Sequence, residues 1–129
     1  MENLIGKELT VTATVTDVIS AKTMGSGSLD VLATPAMVCL MEKAAADLLQ
    51  TELTPDNTSV GISMNVQHKA PTPLGMMVKA TAKVTAVDGR KVTFAVTATD
   101  AKDEIGSGIH ERFIVGAAKF QAKANAKNN

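Results

Sequence analysis

TPAMVCLMEKAAADLLQ, residues 34–50, is the one strongly helical stretch in a chain that elsewhere alternates with a period of two. Thr34-Pro35 opens it, Thr34 reading as the N-cap and Pro35 as the first helical residue. On a wheel of about 100° per residue, Glu42 falls beside Val38, Ala45 and Leu49, whereas Lys43, Asp47 and Gln50 mark the polar side. Glu42 has no cation one turn away, because positions 38, 39, 45 and 46 are Val, Cys, Ala and Ala. A carboxylate at the edge of a buried face needs a partner or a function.

The segments around this helix read as strands. Leu9, Val11, Ala13 and Val15 alternate with threonines at positions 10, 12, 14 and 16. SAKTMGSGSLD, residues 20–30, has no periodicity and reads as a mobile loop. After a turn at TPDN, residues 54–57, Val60, Ile62, Met64 and Val66 share one phase. Val78, Ala80, Ala82 and Val84 form the next strand, and Asp88-Gly89 signals a hairpin into Val92, Phe94, Val96 and Ala98. EIGSGIHERFIV, residues 104–115, is the last strand, and the polar tail QAKANAKNN reads as frayed. The expected order is strand, helix, then an antiparallel meander of four strands. One apolar helix against about five antiparallel strands is an α+β, two-layer design in a single domain spanning 1–129.

Bulk properties narrow the function. Lys+Arg and Asp+Glu balance at 13 each, so no field of one sign recruits nucleic acid or an acidic membrane. Three Phe and no Tyr or Trp leave little for stacking on bases. A core so poor in large side chains gains from a second subunit, so a homo-oligomer is expected. The single cysteine, Cys39, excludes an internal disulfide or a cysteine-rich metal site and fits a reducing cytoplasm. The N-terminus MENLIGKELT has no apolar secretion segment, and no apolar run is long enough to span a bilayer. No metal-ligand spacing, nucleophile elbow or Cys/His pair stands out.

Three residues remain as candidates for chemistry beside Glu42. His68 continues the phase of Val60, Ile62, Met64 and Val66, which sends its imidazole inward at a strand end. A lone histidine there is ordinarily a rim residue bonded to a carbonyl. An inward His and a buried Glu in one small domain raise the reading of a general base. Thr34 is fully explained as a cap, but a helix N-terminus also offers free N–H groups that polarise a carbonyl. Thr34 and Glu42 are separated by about 12 Å of helix axis, enough to border opposite sides of one acyl pocket. Arg112 shares a strand face with His110, opposite Glu111 and Phe113, and spacing alone slightly favours a solvated charge pattern. Arg112 otherwise suits a phosphate or a carboxylate.

ATPAMVCLMEKAA, VQHKAPTPLGMMVKATAKVTAVDGRKVTF and DEIGSGIHERFIV together resemble the hotdog-fold thioesterases, most closely the fluoroacetyl-CoA thioesterase family. The resemblance runs from about Val31 to AKFQAK. It implies a long central helix wrapped by a curved antiparallel sheet, a homodimer with active sites at its interface, and hydrolysis of an acyl-CoA. It puts the catalytic threonine, glutamate and histidine on Thr34, Glu42 and His68, and the substrate-binding glycine and arginine on Gly61 and Arg112. No cofactor is implied, since CoA enters as part of the substrate. The family enzyme has a Phe-containing lid before the threonine, whereas KTMGSGSLDVLATP has no aromatic residue and Ala36 stands where the likeness has Phe. The expected substrate is therefore a short or medium acyl-CoA rather than fluoroacetyl-CoA in particular. The competing expectation is a non-catalytic acyl-CoA or small-ligand binding module. A hotdog dehydratase ranks behind both.

Overall fold

Residues 1–129 are described by a computed structural model. The chain forms β1 (Glu8–Thr14), a short helix α1 (Ala21–Met24), the long helix α2 (Thr34–Gln50), then β2 (Asn57–His68), β3 (Met77–Asp88), β4 (Lys91–Thr99), β5 (Glu104–Gly116) and a C-terminal helix α3 (Ala117–Asn125). The five strands make one antiparallel sheet, and α2 packs against every strand of it.

The alternation read in the sequence is what builds the core. Val78, Ala80, Ala82 and Val84 of β3 and Val92, Phe94, Val96 and Ala98 of β4 are all buried. They share a cluster with Met37, Met41, Ala44, Ala45, Leu48 and Leu49 of α2. Phe94 is the only buried phenylalanine, because Phe113 and Phe120 are exposed. Methionines fill what aromatics would occupy elsewhere, each buried Met or Leu side chain being worth about 1.5–3 kcal/mol. β3 and β4 are joined by a two-residue turn between the paired Asp88 and Lys91, in which Gly89 takes a φ of 61°.

The sheet order is β1-β3-β4-β5-β2, so the expected four-strand meander is wrong for β2. Only β3, β4 and β5 follow one another. β2 pairs with β5 and forms an edge. Periodicity fixes which face of a strand is apolar but not which neighbour it pairs with. Pro71 and Pro73 after β2 preclude a tight β2–β3 hairpin.

β2 also departs from the single inward phase expected of it. A bulge interrupts its register with β5 between Gly61 and Ser63. Ile62 is half-exposed, while Met64, Val66 and His68 are partly buried. The extra residue turns Gly61, not Val60 or Ile62, toward α2.

Two segments read as irregular are ordered. Residues 20–30 contain α1, capped by the Ser20 hydroxyl accepting from the Thr23 N–H at 3.1 Å and closed by Gly25 at φ 80°. Antiparallel bridges Ser20–Leu32 and Val31–Pro73 lock its flanks. The tail continues as α3, whose residues are largely exposed, so the alanine- and lysine-rich composition is realised as helix rather than as fraying. No helix is long and apolar enough to cross a membrane.

Candidate active site

Two clusters of polar side chains lie where α2 meets the edge strand β2. At the first, the Thr34 hydroxyl and His68 Nδ1 are 2.7 Å apart. Thr34 is not the N-cap expected from the sequence. Ala33 takes that position and Thr34 is the first helical residue, so its hydroxyl caps nothing and is available to His68. The helix end offers fewer free donors than expected as well. Pro35 has no N–H, and the Ala36 and Met37 N–H groups both donate to the Ala33 carbonyl at 3.0 Å, leaving the Thr34 N–H as the free one.

With Thr34 donating, His68 Nδ1 is the acceptor and the ring proton sits on Nε2. His68 Nε2 is buried and has no hydrogen-bond partner within the chain. Burial pushes the His68 imidazole below its ordinary value of 6.5, and the Ala70 backbone pulls the other way without closing a bond to Nε2. The ring is thus neutral at physiological pH, with a lone pair toward Thr34. A cavity of about 260 Å³ opens beside the pair, walled by Ala21, Ser26, Val31 and Leu32 on one side and Lys69 and Ala70 on the other.

The second cluster lies eight residues further along α2. Glu42 Oε2 is 3.6 Å from Arg112 Nη1, an ion pair between helix and β5. Glu42 is not the buried carboxylate expected from the wheel, because 43% of its side chain is exposed. Its cation comes from another element, Arg112 of β5, and not from one turn away on α2. Arg112 and His110 are the buried members, at 7% and 1% exposure, so the solvated pattern favoured by spacing is wrong. Their neighbours lie on other elements, Glu42 on α2, Ser59 and Ser63 on β2 and Phe94 on β4, and spacing within β5 does not report them.

Arg112 is held by several bonds. Its Nε donates to the Ser59 hydroxyl at 2.8 Å and its Nη2 to the Ser59 carbonyl at 3.0 Å. Burial lowers its pKa from the ordinary arginine value and the Glu42 carboxylate opposes that; the guanidinium stays charged. The guanidinium is thus oriented by Ser59 and faces the Glu42 carboxylate. Gly61 is paired with Arg112, and a Cβ there would stand 2.6 Å from Glu42 Oε2 and 3.4 Å from Arg112 Nη1.

The structure therefore joins Thr34 to His68 and Glu42 to Arg112 and Gly61. No hydrogen bond or ion pair links the two clusters within one chain. His110 and Ser59 were missed as site residues. The one available signal for His110 was its shared strand face with Arg112.

A family model described as fluoroacetyl-CoA-specific thioesterase matches residues 15–118. The fluoroacetyl-CoA thioesterase of Streptantibioticus cattleyicolor is 43% identical over 98 residues, which are 76% of this chain and 70% of that protein. Among solved structures, a threonine-to-serine variant of fluoroacetyl-CoA thioesterase in complex with acetyl-CoA is similar, with a TM-score of 0.91 at 34% identity. That match covers 97% of this chain and 98% of the other. A thioesterase superfamily member from Thermus thermophilus gives a TM-score of 0.89 at 27% identity, covering 96% and 92% of the two chains.

Proposed function

The chain belongs to the fluoroacetyl-CoA-specific thioesterase family and is an acyl-CoA thioesterase of the hotdog fold; we propose that it cleaves short or medium acyl-CoAs using Thr34, His68 and Glu42. The observation that carries this reading is the 2.7 Å contact between Thr34 and His68 Nδ1 beside an open cavity. In it, Thr34 Oγ attacks the thioester carbonyl carbon as His68 Nδ1 takes its proton. The C–S bond breaks, and the proton passes from His68 to the departing thiolate. Glu42 then removes a proton from water as the water oxygen attacks the acyl carbon; the bond to Thr34 Oγ breaks, that proton returns to Thr34 Oγ, and the carboxylic acid leaves. The Thr34 N–H faces the developing oxyanion at the positive end of α2. CoA is consumed as part of the substrate, and no further cofactor enters the reaction.

The about 12 Å of helix axis between Thr34 and Glu42 is reconciled by a homodimer. β2 leaves one side of its ladder unpaired, and both clusters lie along it. Two copies of one strand paired antiparallel about a two-fold axis set the first half of each against the second half of the other. That places the Gly61–Glu42 cluster of one protomer alongside the Thr34–His68 pair of its partner. The cavity wall from residues 21–31 carries Ala21, Ser26 and Val31 in place of an aromatic lid. Nothing in that wall selects a fluorinated acyl group over acetyl.

The test is a panel of acyl-CoAs, including acetyl- and fluoroacetyl-CoA, with released thiol as the readout. The expected result is turnover of short and medium chains without a marked preference for fluoroacetyl. Wild-type turnover no faster than that of a Glu42→Ala/His68→Ala double variant would overturn the reading.

A further inference from the structure

His110 is the most buried titratable group in the chain, and the hydrolytic steps above make no use of it. Its two ring nitrogens have partners of opposite kind. Nδ1 is 2.8 Å from the Ser63 carbonyl, which only accepts. Nε2 is 3.2 Å from Arg112 Nη1, which only donates. These partners admit one state of the ring, neutral with its proton on Nδ1 and a lone pair on Nε2. A protonated ring would set two cations against each other at that distance.

We propose that His110 is a positioning residue for acyl-CoA hydrolysis, accepting a hydrogen bond from Arg112 Nη1 and thereby fixing the guanidinium beside Glu42 and Gly61. This rests on the proposed thioesterase reaction and on the substrate-binding role that the family resemblance puts on Arg112. Three of the five guanidinium N–H groups are then committed, to the Ser59 hydroxyl, the Ser59 carbonyl and His110. Of the two that remain, one is carried by Nη1, the atom 3.6 Å from Glu42 Oε2.

The geometry around the ring supports the role. Phe94 stacks on His110 with centroids 6.0 Å apart and an interplanar angle of 28°. The bulge in β2 leaves the Ser63 carbonyl in reach of Nδ1. Gly61 leaves room, since a Cβ there would stand 3.2 Å from His110 Cε1. The charged groups acting on His110 are Arg112 and Glu111 of its own strand and Glu42 of α2. Burial is the dominant effect and keeps the ring neutral, with the Arg112 charge acting in the same sense.

His110→Asn retains a donor for Ser63 but has no acceptor where Nε2 was, whereas His110→Gln brings an amide oxygen to that place. The expected result is a fall of about 10- to 100-fold in kcat/KM for His110→Asn and recovery to within about threefold for His110→Gln. In an Arg112→Ala background, His110→Asn should add no further loss. Equal losses in both backgrounds would overturn the proposal. Nitrogen-15 NMR of the histidine ring supplies a readout independent of turnover. The neutral Nδ1–H tautomer is expected at pH 7, with the Arg112 side-chain resonances broadened or shifted in His110→Asn. An Nε2–H tautomer or a charged ring would overturn the proposal even if activity followed the expected pattern. Full activity of Arg112→Ala would instead refute the substrate-binding role of Arg112 and with it the catalytic consequence of His110.

Discussion

The Thr34 hydroxyl lies 2.7 Å from His68 Nδ1, a bond that ties the first residue of the long helix to the last residue of the edge strand. Its chemistry separates from its contribution to stability. Thr34→Val keeps the shape and removes the hydroxyl. It should lower kcat by about 100-fold or more, the scale of a lost acid–base partner. The folded state should lose only about 1 kcal/mol, because Thr34 is exposed and one hydrogen bond is at stake. Thr34→Ser should retain measurable turnover. Steady-state thiol release and urea denaturation of the same samples check both parts.

The proposed pairing of β2 edges across a two-fold axis has a consequence for mixed dimers. Thr34→Ala and Glu42→Ala homodimers should each be inactive. Refolded as an equimolar mixture, they should recover about a quarter of wild-type activity, since half the dimers then hold one intact site of two. No recovery would mean that each site is built from a single chain. Sedimentation of the wild-type protein as a monomer at micromolar concentration would refute the dimer itself.

Gly61 and Gly108 lie on the paired strands β2 and β5 but should fail differently when given a methyl group. At Gly61 the tightest contact is the far end of the Glu42 side chain, at 2.6 Å, which can swing away. Gly61→Ala should therefore cost about 1 kcal/mol or less and still abolish most turnover by displacing the carboxylate. At Gly108 the new atom meets backbone of the paired strand, the Asn65 carbonyl and, at 2.7 Å, Val66 Cα. Gly108→Ala should destabilise the fold by about 3 kcal/mol or fail to give folded protein. Thermal melts read against specific activity distinguish the two.

Both histidines have pKa values lowered by burial from 6.5. Below pH 6.5 the unfolded chain binds protons that the folded chain does not. Stability should thus fall as pH drops from 6.5 toward the folded-state values and be flat above 6.5. Activity that depends on neutral His68 should hold through pH 6.5 and decline only below it. Urea titrations at stepwise pH and a kcat/KM profile for acetyl-CoA test each part. A rise in stability on acidification through this window would contradict the burial of the two rings.

Turnover of acetyl-CoA should match that of fluoroacetyl-CoA within about tenfold in kcat/KM, a window of about 1.4 kcal/mol, since the cavity wall offers no aromatic ring. A strong preference for the fluorinated acyl group would locate selectivity in Arg112 and Gly61 rather than in the segment before α2.

The sequence by itself determined the elements and the apolar faces. The period of 3.6 in residues 34–50 and the period of two in β1, β3 and β4 are local consequences of which side chains must leave water. It also singled out Thr34, Glu42 and His68 through their residue types and, with the family resemblance, Gly61 and Arg112. Tertiary structure alone decided how these residues combine. Which strands pair depends on contacts distant in sequence, so β2 moved to the sheet edge against the expected meander. One inserted residue near Ile62 reversed the phase of half a strand and brought Gly61 to Glu42. Arg112 and His110 read as solvated from spacing because the neighbours that bury them come from α2, β2 and β4, and no pattern within β5 encodes those neighbours.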